Sequence, residues 1–385
     1  MQKNPPNPFL VAGYNGPELF CDRKEETATL VSALSNGRNV NLISPRRMGG
    51  TGLVLHAFNQ ITKKEKDARC FYMDIFATQN LAEFAALFGK TVLGKLDGFS
   101  ESAMRRLAGF FKSFMPRFSI DPQTGAPEMT FEIRAGEAER SLAEIFEYLK
   151  KSRQQCRVAI DEFQQILQYP EKGVEALLRT QTQFAPNVAF VFSGSEQHLM
   201  DAMFSSAKRP FYQSAQKISL REIPLESYRA FAMEKFAAAG RRLPATVFDY
   251  AYGMLSGHTW YVQLVMNILF SRGAKHCADA DVDAVLEKIL REETATYKTY
   301  CGMLPTGQAR VLRAVAMEKS VSTPTGSAFI RRHGLGAASS VKQAVDALCA
   351  KSLMLRDDEG NYSIYDRFFG LWLARFHETE RYMFA

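Results

Sequence analysis

The stretch Val40-Asn41-Leu42-Ile43-Ser44-Pro45-Arg46-Arg47-Met48-Gly49-Gly50-Thr51-Gly52-Leu53-Val54-Leu55 decides how this chain reads. Val40 to Ser44 is a short apolar run, the pattern of a strand buried on both faces. Pro45 to Gly50 breaks it with a Gly-containing turn, and Leu53 to Phe58 begins a helix. Strand, glycine turn and helix in that order form the setting in which backbone N–H groups and a helix N-terminus grip phosphate.

The Walker A pattern for such a loop is G-x-x-x-x-G-K-[ST]. Ser44 to Thr51 align with it: Gly49 and Thr51 match, Ser44 stands at the first glycine, and Gly50 stands at the lysine. The backbone donors survive both changes, and a second glycine keeps the chain close to a ligand. Thr51 keeps a hydroxyl for Mg²⁺. The lost group is the ammonium that contacts the β- and γ-phosphates. Removing one preorganised donor of this kind costs ~2.7–4 kcal/mol, or ~100–1,000-fold in rate. Pro45, Arg46, Arg47, Met48, Gly49, Gly50, Thr51 and Gly52 are the expected nucleotide-binding residues of the loop.

Outward from the loop, the apolar runs Cys70–Ile75, Arg157–Asp161 and Val188–Ser193 read as further buried strands. Helical patterns at Leu81–Leu96, Glu137–Lys151 and Val174–Phe184 lie between them. Such alternation predicts an α/β domain with a parallel sheet and helices on both faces. Phe118 to Ile133 departs from the rhythm and predicts an inserted hairpin turning at Asp121 to Pro127. Val158-Ala159-Ile160-Asp161-Glu162 is a strand ending in two acids, the Walker B pattern. Asp161 is expected on Mg²⁺ with Thr51, and Glu162 is expected to orient the attacking water. Ser193 and Ser195 follow the next strand, at the carboxyl end where open α/β sheets take ligands.

From Ser227 strand signals stop. Tyr228–Ala239, Ala245–Leu255, Thr259–Ser271 and Asp281–Lys298 read as four helices. Helices at Gln308–Glu318, Thr325–His333 and Ser339–Lys351 follow, then Leu353–Arg356, a turn, Tyr362–Ile364 and a last helix over Phe368–Glu378. Three helices and a β-hairpin make a winged-helix module. The expected domains are 1–226 (P-loop ATPase domain), 227–300 (helical lid) and 301–385 (winged helix).

Composition agrees with a globular protein: 385 residues, 46% hydrophobic and 23% charged. The N-terminus, Met1 to Pro8, has no apolar core of a signal peptide, and no apolar run spans a bilayer. The six cysteines are scattered, with no Cys-x-x-Cys pair. The expectation is a soluble cytoplasmic protein with no membrane partner. A net charge of +7 permits a polyanionic partner without demanding one.

Taken together, Phe20-Cys21-Asp22-Arg23-Lys24-Glu25-Glu26, Ser44 to Thr51, Val158 to Phe163, Phe192 to Ser195, Arg209-Pro210-Phe211-Tyr212 and Ser256-Gly257-His258 resemble archaeal-type P-loop ATPases of the STAND/AAA+ group. The resemblance covers essentially the whole chain. It implies ATP and Mg²⁺ as ligands, and Phe20, Arg23 and Glu26 beside adenine. It also implies Ser193 or Ser195 as a γ-phosphate sensor and His258 as a phosphate contact from the lid. Gln213-Ser214 stands where many relatives carry Gly-Arg, a second departure that argues against efficient hydrolysis.

In the winged helix, Ser339, Ser340, Lys342 and Gln343 could meet DNA, but the wing tip Asp357-Asp358-Glu359 would repel phosphate. A protein partner is therefore favoured over DNA. The expected function is an ATP/Mg²⁺-dependent switch with weak or absent hydrolysis. The alternatives are an ATP-binding DNA-binding regulator and a nucleotide-free scaffold.

Overall fold

The computed structural model describes residues 6–96, 110–120, 127–134, 136–152, 154–357 and 359–375. The chain divides into two compact units: 12–223, and 224–375 together with 6–11.

The first unit is an α/β domain. It begins with helix α1 (Lys24–Ser35) and strand β1 (Val40–Ile43), whose residues are all buried. The loop feeds α2 (Gly50–Lys64), then β2 (Ala68–Asp74) and α3 (Leu81–Leu96). An antiparallel hairpin of β3 (Phe114–Ile120) and β4 (Pro127–Ile133) is inserted next. Its turn, 121–126, lies outside the described residues. Then come α4 (Ala138–Lys151), β5 (Gln155–Asp161), a 3-10 helix over Phe163–Gln168, α5 (Val174–Gln183), β6 (Val188–Gly194), α6 (Gln197–Ser205) and β7 (Gln216–Ser219).

The sheet runs β2-β5-β6-β1-β7, and every pairing in it is parallel. Two apolar clusters cover its faces, one containing Phe84, Phe88, Phe146 and Phe190, the other Leu30, Leu53, Val54 and Ile61. This double burial explains why β6 reads as an unbroken apolar run and why even Asn41 of β1 is buried. β1 sits between β6 and β7, so the loop after it opens at the carboxyl edge of the sheet's interior. The sequence reading lacks α1, α6 and β7.

The second unit holds α7 (Leu225–Ala238), α8 (Ala245–Met254), α9 (Thr259–Arg272) and α10 (Asp279–Gly302). Phe9 is fully buried here, with its ring packed on Phe231, Phe236 and Phe270. Asn267 donates to the Phe9 carbonyl at 2.6 Å. The winged helix comprises α11 (Thr306–Glu318), α12 (Ser327–Arg332), α13 (Ala338–Ala350) and the antiparallel hairpin β8 (Met354–Arg356) and β9 (Tyr362–Ile364). A bridge from Val321 to Tyr362 adds the short third strand of that module. Helix α14 (Arg367–Arg375) packs Phe369 on Tyr297 of α10, and its Trp372 donates to Thr294. The expected helix beyond 375 and Asp358 of the wing lie outside the described residues.

Candidate functional site

The site forms where β1, β2, β5 and β6 end. Arg47 and Gly49 both take left-handed backbone conformations, at φ 65° and 97°. Gly49 caps α2, whose first turn carries no acidic residue. Alternating backbone handedness of this kind is the setting in which successive N–H groups form an anion-binding concavity, and a helix start adds partial positive charge. The loop closes on itself through Met48 N–H to the Pro45 carbonyl at 3.1 Å, and Ser44 N–H to the Gly194 carbonyl at 3.0 Å ties its start to β6. Space above Gly49 is open, since a Cβ there would meet nothing within 4 Å. No side chain therefore crowds the backbone at Gly49.

Gly50 is different. A Cβ on Gly50 would lie 2.6 Å from Ser44 Oγ and 2.7 Å from Ser44 Cβ. The two positions where the chain departs from the loop pattern thus face each other, and Ser44 fills space beside the missing side chain.

Arg23 is buried and donates to the Met48 carbonyl at 3.1 Å while pairing with Glu26 at 3.1 Å. Both Asp22 and Arg23 have positive φ, which ends the approach to α1 sharply. Arg23 thus braces the loop after β1, with Glu26 as its counter-ion. Phe20 stacks on His56 of α2, with ring centroids 4.2 Å apart, and lies over Gly52, where a Cβ would meet it at 3.5 Å. Tyr14 Oη and Gln60 Nε2 each lie 3.0 Å from a ring nitrogen of His56. Burial, helped by Lys63, holds the His56 pKa below its usual range. A neutral ring accepting from Gln60 at Nε2 donates from Nδ1 to Tyr14.

Asp161 and Glu162 end β5 as the pattern requires. Thr51 Oγ1 donates to Asp161 Oδ2 at 2.9 Å, which joins the two expected Mg²⁺ residues directly. Tyr72 of β2 donates to the same oxygen at 2.5 Å. Burial and the neighbouring Asp161 raise the Tyr72 phenol far above its usual range, so it remains a donor. Asp74 lies opposite Asp161 in the β2–β5 register. Burial first, then Asp161 and Glu162, raise its carboxyl. Among the described residues no cluster of three or more His, Cys, Asp or Glu forms a metal cage. The fit is instead the hydroxyl–carboxylate pair of a phosphate-shared Mg²⁺.

Glu162 has positive φ, which turns its side chain out of the strand line. Its Oε2 accepts from Ser195 Oγ at 2.7 Å and from Gln164 Nε2 at 2.5 Å. Arg46 Nε reaches Ser195 Oγ at 3.4 Å, and its guanidinium lies 5.6 Å from the exposed Phe76 ring centre. Ser195 therefore links the loop to the acid. Ser193 is buried within β6, at 2% exposure, opposite Leu42 of β1.

Phe211 is fully buried in an aromatic cluster with Phe163, Phe192 and Phe204, while Arg209 pairs with Glu175 at 2.9 Å. Gln213 has φ 51°, a conformation that favours glycine. His258 belongs to the second unit, where it is the N-cap residue of α9 and meets Tyr261 edge-on at 4.8 Å. Gly257 before it has φ 66°, and a Cβ there would strike Tyr252.

Fold and site together define an α/β domain of the P-loop NTPase fold with a C-terminal winged helix. Residues 295–375 match the family model described as a probable winged helix domain. The chain is similar in structure to the Walker-type ATPase paby2304 of Pyrococcus abyssi, at 18% identity and a TM-score of 0.61, over 95% of this chain and 99% of that one. It is similar also to the ORC2 protein of Aeropyrum pernix, solved as ADPNP–ADP complexes, at 13% identity and a TM-score of 0.56, over 95% and 96%. No curated protein matches the chain.

Tyr72, Asp74 and Gln164 were not read from sequence as site residues. A Tyr-x-Asp ending a buried strand is a visible signal, but only the strand order β2-β5 brings it to Asp161.

Proposed function

We propose that this chain is an ATP·Mg²⁺-binding switch of the STAND/AAA+ type, acting in the cytoplasm, with weak or absent hydrolysis. One observation carries the reading: Thr51 Oγ1 meets Asp161 Oδ2 at 2.9 Å, at the foot of an open phosphate loop. Phosphates are bound by the loop backbone from Pro45 to Gly52. Thr51 and Asp161 would hold Mg²⁺, which when bound neutralises charge on the phosphate oxygens. Ser195 and Gln164 fix Glu162 for orienting water, and Ser195 is favoured over Ser193 as the γ-phosphate sensor because its hydroxyl reaches that acid. Arg46 supplies the nearest cation to Ser195 in place of the missing lysine. Arg23 and Glu26 act by holding the loop, with Phe20 presenting an apolar ring for the base. His258 would report the nucleotide to the lid.

The winged helix is proposed to bind protein rather than DNA. Arg332 and His333, basic groups at the C-terminal end of α12, are both engaged by Glu318, at 2.6 and 2.8 Å.

The test is calorimetry with ATP·Mg²⁺ and phosphate release, on the native chain and on Gly50→Lys with and without Ser44→Gly. A disabled switch binds ATP natively and releases phosphate only after the lysine returns. Native binding with rapid phosphate release would refute the loss of hydrolysis. No binding by any of the three chains would leave the fold a scaffold.

A further inference from the structure

Asp161 has little accepting capacity to spare. Its Oδ1 accepts from the Glu162 N–H at 3.1 Å. Its Oδ2 accepts from Thr51 at 2.9 Å and from Tyr72 at 2.5 Å. An ionised carboxylate offers about four acceptor sites, roughly two per oxygen. Oδ2 is thus saturated, and the Tyr72 bond is the shortest of the three, within the charge-assisted range. The phenol also lies 3.4 Å from Thr51 Oγ1, so it touches both residues expected to hold the cation.

Strand geometry puts it there. In the β2–β5 register Tyr72 sits opposite Ala159, two residues before Asp161. Residues two apart share a face. The small Ala159 leaves room for the ring, and a side chain as long as tyrosine leans forward to the carboxylate at the strand end.

We propose that Tyr72 is a positioning residue that competes with a hydrated divalent cation for Asp161, and so sets how strongly nucleotide binding depends on Mg²⁺. The proposal rests on the nucleotide-binding reading above. Without cation, the phenol clamps Thr51 and Asp161 together. For Asp161 to receive a donor from a hydrated cation at Oδ2, Tyr72 must let go.

The experiment measures the affinity of the full chain for a non-hydrolysable ATP analogue, once in EDTA and once in Mg²⁺, for the native protein and Tyr72→Phe. The expected result is a gain in affinity from Mg²⁺ that is on the order of tenfold larger for Tyr72→Phe than for the native chain, the scale of one charge-assisted hydrogen bond. A merely structural phenol shifts both affinities alike; an unmoved or reduced Mg²⁺ gain therefore overturns the proposal while leaving nucleotide binding intact. If the native chain binds the analogue in neither condition, the nucleotide-binding reading falls and takes this inference with it. Tyr72→Leu provides the same comparison if Tyr72→Phe does not fold.

Discussion

Ser44 and Gly50 are bound to each other by space. A lysine at 50 brings a Cβ to within 2.7 Å of both Ser44 side-chain atoms, closer than real Cβ atoms come. Overpacking of this kind costs about 1–3 kcal/mol. Gly50→Lys alone should therefore melt below the native chain when nucleotide is absent. Ser44→Gly in the same chain should recover most of that loss, although glycine in β1's exit costs some backbone entropy. Thermal melts of the native, single and double variants decide it. Equal melting temperatures for the single and the double variant would show that Ser44 simply rotates away. The loop is therefore more than a pattern with one letter missing. Its two departures occupy the same volume, which a comparison of letters does not reveal.

At the scale of elements, β5 and β6 were legible from the apolar runs Val158–Ile160 and Val188–Phe192, β2 from Cys70–Met73, and β1 from Val40, Leu42 and Ile43 around a buried Asn41. β7 was not: Gln216 and Lys217 are polar, only Ile218 is buried, and parallel pairing with β1 holds it in place. Thr51 and Asp161 could each be picked out of the sequence by motif, whereas the Thr51–Tyr72–Asp161 triangle could not, because strand order is a tertiary fact. In the winged helix, the sequence shows a basic Arg331-Arg332-His333 run, and the fold sets Glu318 of α11 against two of its members. The wing-tip acid Asp357 is spent on its own turn, accepting from the N–H groups of Glu359 and Asn361. The bond from His333, then Arg332, lowers the Glu318 carboxyl below its ordinary 4.5. A depressed carboxylate contributes stability above its unfolded pKa and loses it as pH falls through the folded one. Arg332 is exposed, so solvent screening limits the pair to about 0.2–1 kcal/mol. Glu318→Gln should therefore destabilise the chain slightly at pH 7, and the difference should fade as pH falls past the ordinary carboxylate range and through the lowered folded pKa of Glu318. Glu318→Gln also frees the basic pair. If duplex DNA then binds with steep salt dependence where the native chain does not, Glu318 is what closes this face to nucleic acid. Steep DNA binding by the native chain would sink the preference for a protein partner.

For the whole molecule the question is coupling. Residues 12–223 and the unit of 6–11 with 224–375 have separate cores, so each has the means to unfold as its own cooperative step. A ligand that binds only native protein stabilises by RT ln(1 + [L]/Kd), about 2.7 kcal/mol at a hundredfold excess over Kd. If the phosphate loop binds nucleotide in isolation, that energy belongs to the first unit alone. A switch requires more: the nucleotide must have different affinities for at least two arrangements of the chain, or it changes no arrangement at all. Scanning calorimetry of the full chain with and without ATP·Mg²⁺ separates the cases. For a switch, the transition of 12–223 moves up by a few degrees and the second unit's transition moves with it or merges into it. A rise confined to the first transition means binding without communication, which would leave His258 and the winged helix as bystanders. The His258→Ala chain sharpens the outcome. Its buried ring packs edge-on against Tyr261, so the second transition should fall modestly even without ligand. Only if His258 carries the nucleotide signal should the variant also lose the ATP-dependent part of the second shift while keeping the first.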